Sequence, residues 1–163
     1  MELNDEVRIP AKLEYVYNCL NDLEVLKKCI PGCEELLESE DGNLLTKVVL
    51  KIGPIKAKFK GKVTLDLSSG PTKYSLSGEG DGGVAGFVKG GADVELVDDG
   101  NETILKYIAK SEVKGKIAQL GSRLILSTAK KLSKTFFDNA IQNGVNFEKP
   151  QKFGMFYRRS KCS

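Results

Sequence analysis

The sequence predicts an α+β fold: a curved seven-stranded antiparallel sheet gripping one long C-terminal helix, with two short helices after the first strand. Three observations carry this. From 115 to 142, apolar residues fall at 117, 120, 124, 125, 129, 132, 136 and 140, the i, i+3, i+4, i+7 recurrence of an amphipathic helix. From 55 to 67 the pattern becomes strict alternation. Ile55, Ala57, Phe59, Gly61, Val63, Leu65 and Leu67 share one face, and Lys56, Lys58, Lys60, Lys62, Thr64 and Asp66 the other. Turn signals at Asp41-Gly42, Gly53-Pro54, Ser68-Ser69-Gly70-Pro71 and Asp98-Asp99-Gly100-Asn101 cut the region before the helix into short runs. Strands in sequence with helices segregated from them mean α+β rather than alternating α/β.

Taken in order, Leu3, Val7 and Ile9 belong to a first strand ended by Pro10. A helix follows over 11–20, with Leu13, Val16, Tyr17 and Leu20 at helical spacing. Asp22 is placed to cap a second short helix through Lys28, which Ile30-Pro31-Gly32 stops. Strands are expected at 33–40, 43–52, 55–67, 74–80, 90–97 and 102–113. The final helix, 116–142, would be ~40 Å long. Its wet face carries Lys116, Arg123, Lys130 and Lys134. Gly121 falls on the apolar face, at a cost of ~1 kcal/mol relative to alanine, which predicts a close neighbour there.

A chain of 163 residues, 40% hydrophobic and 29% charged, suits one domain with a real core. No apolar run is long enough to span a membrane and the acidic start lacks a signal-peptide core. Four cysteines, three of them clustered, do not make a disulfide framework, so a reducing, cytoplasmic setting is expected. The net charge of +3 divides unevenly: residues 144–163 carry +4 and the rest about −1. The reading is therefore a domain over 1–143 and a basic-aromatic tail over 144–163. A near-neutral body with a basic tail is not a nucleic-acid-binding composition.

The inward positions of the central strands are small: Ala57, Gly61, Gly78, Gly80, Ala92 and Ala109, with Phe59, Leu76 and Tyr107 interspersed. Interiors pack to crystal-like density, so undersized residues facing a helix either leave a ligand-sized space or mark bulges that bend the sheet. The pattern leaves both open.

Several segments, in order, carry a family likeness: 16–22 (VYNCLND), 26–33 (LKKCIPGC), 53–63 (GPIKAKFKGKV), 85–90 (AGFVKG), 115–124 (GKIAQLGSRL) and Phe136-Phe137. Over about residues 1–141 the chain resembles the carbon monoxide dehydrogenase G-subunit family, of the START/Bet v 1-like (SRPBCC) helix-grip superfamily. It departs at Tyr17, where the family usually has Trp, and at Leu23, where Pro is common. The resemblance implies a non-catalytic accessory protein without a cofactor. It would bind a lipid-like molecule, a membrane quinone first among candidates, beside a molybdenum hydroxylase of the carbon monoxide dehydrogenase type. Phe59, Leu76, Phe87, Tyr107, Leu120 and Leu124 are the expected cavity lining, with Tyr107 best placed to hydrogen-bond a ligand carbonyl.

The remaining motifs add limits. The chain has no histidine, which removes the commonest general base, Ser-His-Asp and Cys-His nucleophilic sites, and the main nitrogen metal ligand. Cys29 and Cys33 form half of a metal site at most; the alternative is two small residues packed around a helix stop. Gly78-Glu79-Gly80-Asp81-Gly82-Gly83 fits GxGxxG but opens no helix, so a lip or gate beside the cavity, or a plain solvent loop, is expected. Lys56, Lys58, Lys60 and Lys62 are a solvated strand face or a docking surface for an acidic partner or anionic headgroups. The tail, with Arg158 and Arg159 among aromatics, suits peripheral contact with the inner face of a membrane, unless it packs back or stays unfolded. Two rival readings remain: a cavity enzyme of the cyclase or hydrolase kind, and a structural assembly or recruitment factor without ligand.

Overall fold

The computed structural model describes residues 1–148, with side-chain surroundings for 1–143. The elements run β1 (Glu2–Ile9), α1 (Leu13–Leu20), α2 (Leu23–Cys29), β2 (Cys33–Glu38), β3 (Leu44–Ile52), β4 (Ile55–Asp66), β5 (Lys73–Asp81), β6 (Phe87–Asp99), β7 (Glu102–Lys114) and α3 (Ser122–Glu148). All seven strands form one antiparallel sheet in the order β1-β7-β6-β5-β4-β3-β2. The meander β2 to β7 is sequential, and β1 closes the order by pairing with β7 from Glu2↔Lys110 to Ile9↔Thr103. Alternate hairpins therefore fall at opposite ends of the sheet. One end holds the turns after β2, β4 and β6; the other holds those after β3 and β5 and the β7–α3 connection.

Local chemistry sets the boundaries. Asp22 is the N-cap of α2: its Oδ1 accepts from the backbone N–H of Glu24 at 2.9 Å and of Val25 at 3.3 Å. Gly32 (φ 73°) makes the turn out of α2, and an added Cβ would lie 2.1 Å from the Val49 carbonyl oxygen. At the β1 end, Thr103 is fully buried and donates its hydroxyl to the Ala11 carbonyl at 2.7 Å. Arg8 reaches Asp99 at 2.6 Å and Glu102 at 2.8 Å, tying the edge strand to the β6–β7 hairpin.

Two expectations need correction. The final helix is not continuous from residue 116: Lys116–Leu120 is a separate 3₁₀ turn, and the α-helix begins at Ser122 and runs on to Glu148. Gly121 joins them at φ 93° with nothing within 4 Å of an added Cβ. Its role is conformational, a residue that must turn left-handed, rather than close packing. The glycine-rich segment is mostly strand, since β5 continues to Asp81 and β6 begins at Phe87. Only the short connection with its 3₁₀ turn Gly83–Ala85 is left as loop.

The core is divided. One cluster, around Val16, Val25, Val94, Leu96, Leu105 and Tyr107, lies beneath α1 and α2 and takes in Ala140 of α3. A second, around Ile52, Ala57, Phe59, Ala85 and Ile117, fills the opposite end. A third joins Leu26, Leu36 and Leu44 under α2.

Candidate functional site

Between the two end clusters the sheet carries transverse rows of small residues. Register aligns Thr46, Gly61, Gly80, Val88 and Val113; then Leu44, Val63, Gly78, Gly90 and Ser111; then Leu65, Leu76, Ala92, Ala109 and Leu3. The next row, Tyr74, Val94 and Tyr107, is again large and buried. On the other side Val48 and Phe59 close the band. The result is a waist of undersized positions bounded by Phe59 at one end and two tyrosines at the other. Leu76, Ala92, Ala109, Val113, Leu120 and Leu124 are only half-buried, with Leu76 and Ala109 packed against the first cluster beside Phe136 and Phe137, and Val113 and Leu120 against the second.

The glycines serve two purposes. The ladders from β4 to β7 run without a register shift, so none marks a bulge. An added Cβ at Gly90 would meet the Lys110 carbonyl oxygen at 2.4 Å, and one at Gly78 the Lys62 carbonyl oxygen at 2.9 Å. These two let neighbouring backbones close up as the sheet bends. Gly80 is different: its Cβ would be 3.8 Å from the Phe59 ring, an ordinary contact. Gly78 and Gly90 thus allow close approach of a neighbouring backbone, whereas Gly80 faces only the Phe59 ring.

Of the expected lining residues, Phe59 and Tyr107 are buried and Leu76 half-buried, all on the concave side. Leu120 packs against the Phe59 cluster, and Leu124 sits over the β3–β4 turn, 2.7 Å from where a Gly53 Cβ would be. Phe87 does not join them. It is paired with the exposed residues Asp81 and Lys114 on the outer face, and Val88 takes the inward place. Strand parity decides this, because Gly90, Ala92 and Val94 point in.

Tyr74 is absent from the lining expected from sequence, although it shares the parity of Leu76, Gly78 and Gly80. It is 7% exposed, and its ring meets Tyr17 edge-on at 5.8 Å. Burial drives its phenol pKa up, with a smaller contribution from Tyr17. Tyr107 lies 5.4 Å from Phe137, ring to ring. Among the described residues neither hydroxyl has a hydrogen-bond partner. The one buried side-chain polar atom without a partner among the described residues is Asn21 Oδ1, so neither phenol oxygen is an orphan inside the core.

The other candidates resolve simply. Cys29 is fully buried, and desolvation raises its thiol pKa to about 11. Cys33 is half-buried beside Thr46, and no group of metal-ligating side chains occurs among the described residues. Lys56, Lys58, Lys60 and Lys62 are all exposed on the outer face, with Lys58 3.1 Å from Glu34. Lys60 stands opposite Lys47, and Lys56 opposite Lys51. Arg158 and Arg159 lie outside the described residues. An open depression of about 660 Å³ occupies the outer face over β5, β6, β7 and β1. Its rim mixes the charged residues Glu6, Asp93, Glu95, Lys73 and Lys106 with the exposed Ile108.

A curved antiparallel sheet holding a long C-terminal helix, with two short helices after the first strand, defines a helix-grip protein of the START/Bet v 1-like class. A START superfamily protein from Mycobacterium smegmatis superposes with a TM-score of 0.67 at 16% identity, over 90% of this chain and 98% of that one. The chain belongs to the carbon monoxide dehydrogenase G-subunit (CoxG) family, whose model matches residues 6–144. A conserved protein from Geobacillus kaustophilus is similar in structure at TM-score 0.85 and 27% identity, covering 90% of this chain and 96% of that one. The Zhui aromatase/cyclase from Streptomyces sp. R1128 matches at TM-score 0.67 and 11% identity, over 92% and 96%. No curated protein sequence matches the chain. Among the described residues, no helix is long and apolar enough to cross a membrane.

Proposed function

We propose that the protein is a non-catalytic carrier that holds an apolar small molecule, a quinone or other lipid, in the waist between sheet and helix. It would serve a molybdenum hydroxylase of the carbon monoxide dehydrogenase type. The observation that carries the reading is the row structure: small inward residues, Gly80, Ala92 and Ala109 among them, bracketed by Phe59 and the rings of Tyr74 and Tyr107. A ligand with a carbonyl head and a hydrocarbon tail matches this polarity. The head would accept a hydrogen bond from a tyrosine, and the tail would run along Leu76, Ala92 and Ala109. Burying that tail is worth about 25 cal/mol per Å² of apolar area removed from water.

The cyclase reading draws on the structural neighbours alone. A cavity enzyme of that kind needs an ionisable group in the waist. The inward positions of β3 to β5, of β6 from Val88 to Leu96 and of β7 from Leu105 to Val113 offer tyrosines but no carboxylate, amine or thiol. Membership of a family named for a carbon monoxide dehydrogenase component supports the accessory role. The working location is the cytoplasmic side of a membrane, with the basic tail, Arg158 and Arg159 included, as a peripheral anchor. Lys56, Lys58, Lys60 and Lys62 would be the partner-docking face.

Tyrosine fluorescence tests the carrier reading, because the chain has five tyrosines and no tryptophan. Titration with a short-chain menaquinone is expected to quench the emission saturably at one equivalent, and Tyr74→Phe with Tyr107→Phe to weaken binding by roughly tenfold, two neutral hydrogen bonds' worth. No saturable quenching by menaquinone, together with no co-purifying lipid in native mass spectrometry, would count against it.

A further inference from the structure

The two ends of the sheet carry opposite charge. At the end that holds the β3–β4, β5–β6 and β7–α3 connections, residues 51–56, 82–89 and 114–123 contain Lys51, Lys56, Lys89, Lys114, Lys116 and Arg123 and no Asp or Glu. All six are exposed. Three acids border this group: Asp81, whose Oδ1 accepts from the Gly83 N–H at 2.9 Å, and Glu79 and Glu112, which stand on either side of Lys89. The other end presents Glu38, Glu40, Asp41, Asp66 and Asp98, all exposed.

An apolar apex stands in the middle of the basic end. Val84 is 89% exposed, the most exposed of the large apolar side chains among the described residues. It is held there by a built turn rather than a loose loop. The Gly82 N–H donates to Gly86 at 2.8 Å, Gly86 donates to Gly83 at 3.1 Å, and Gly83 and Gly86 take φ of 64° and 126°. Its neighbour Ala85 is buried against the cluster of Ile117 and Phe59. A β-branched apolar residue held in water at an end rich in cations suits a partner that is apolar inside and anionic outside.

We propose that this end docks on a bilayer containing anionic lipid, with Val84 entering the headgroup–acyl boundary and the lysines and Arg123 on the headgroups. A protruding apex with dispersed cations fits a deformable lipid surface better than the concave face of an acidic protein. Leu120 and Leu124 lie at the same end, so docking would aim the adjoining end of the waist at the membrane. The surface itself rests on charge and exposure alone and does not require the carrier reading.

Full-length Val84→Trp supplies a single tryptophan in a chain that has none. It is mixed with phosphatidylcholine vesicles with and without phosphatidylglycerol, some containing brominated lipid. The expected result is a blue shift and bromine quenching only with phosphatidylglycerol, reversed by salt. Lys56→Glu with Lys116→Glu in the same background should lower partitioning by roughly tenfold or more, since each cation near an anionic surface contributes several-fold. Glu38→Lys with Glu40→Lys should not lower it. Sedimentation with unchanged tryptophan emission would overturn the proposal by placing contact elsewhere, such as the tail. Absence of any sedimentation would overturn it in favour of an acidic protein partner.

Discussion

Ala109→Leu probes the waist most simply. Ala109 is half-buried on the concave side, in register with Ala92 and Leu3. The substitution adds three carbons. If the space between sheet and helix is thinly filled, those carbons leave water without displacing anything, a gain of up to about 2 kcal/mol at roughly 0.8 kcal/mol per methylene. Apolar area already covered in the unfolded chain would lower that to about 1.5 kcal/mol. If the waist were packed like the ends, the same carbons would force neighbours off their rotamers and cost about 1–3 kcal/mol. The sign therefore decides. Urea unfolding of the full-length protein, followed by circular dichroism, gives it as a midpoint shift at constant slope. Leu105→Ala, at a position with 0% exposure in the filled end, is the calibrating loss, about 2–5 kcal/mol. The larger side chain should also lower menaquinone uptake by occupying its room. A loss above about 1 kcal/mol at Ala109 with unchanged slope, in the range expected for overpacking, would rule out a thinly filled waist.

Three further outcomes rest on the same structure. Gly90→Ala should cost more than about 1 kcal/mol, because its Cβ meets a carbonyl at 2.4 Å, whereas Gly80→Ala, with 3.8 Å of room, should be neutral or stabilising by a few tenths; thermal unfolding separates the two. Asp22→Ala removes the acceptor for two N–H groups of α2 and should destabilise by about 1 kcal/mol, read from the urea midpoint, with Asp22→Asn retaining most of it. Cys29 makes stability fall in alkali. Its folded pKa, about 11, lies above the ordinary thiol value of 9.0, so the unfolded chain binds fewer protons between these values, and folding weakens as pH rises from 9 towards 11. Cys29→Ala should flatten that limb of the stability curve.

The fold is legible in the sequence where one physical signal dominates. Alternation from Ile55 to Asp66 sets β4 and its faces, and Asp22 announces the cap of α2, because period and capping chemistry are local. The break at Gly121 is hidden by continuity of pattern. Ile117 and Leu120 keep helical spacing with Leu124, yet they pack from a 3₁₀ turn, and nothing in the spacing reveals a φ of 93°. Phe87 is misplaced from sequence because a strand expected to begin at Gly90 leaves earlier residues without a parity. Once β6 starts at Phe87, the alternation sends that ring outward and Val88 in. Tyr74 is the opposite case. Its parity is readable, but its burial edge-on against Tyr17 requires the third dimension.

The double use of glycine also lies beyond the sequence. Gly78, Gly80 and Gly90 look alike in a strand, and only the structure distinguishes the two whose Cβ would meet a neighbouring carbonyl from the one that faces a ring. Charge polarity between the ends is a topological fact as well. Lys56, Lys89 and Lys116 are far apart in the chain and come to one end because the meander reverses direction at every hairpin.

Diffraction from a crystal under xenon pressure probes the hollow waist without any substitution, since xenon settles in apolar space that water does not fill. Xenon is expected between α3 and the row of Leu76, Ala92 and Ala109, on the Phe59 side of Tyr74 and Tyr107. Side chains of α3 filling that row, with no xenon there, would mean that the waist is solid and the carrier reading wrong.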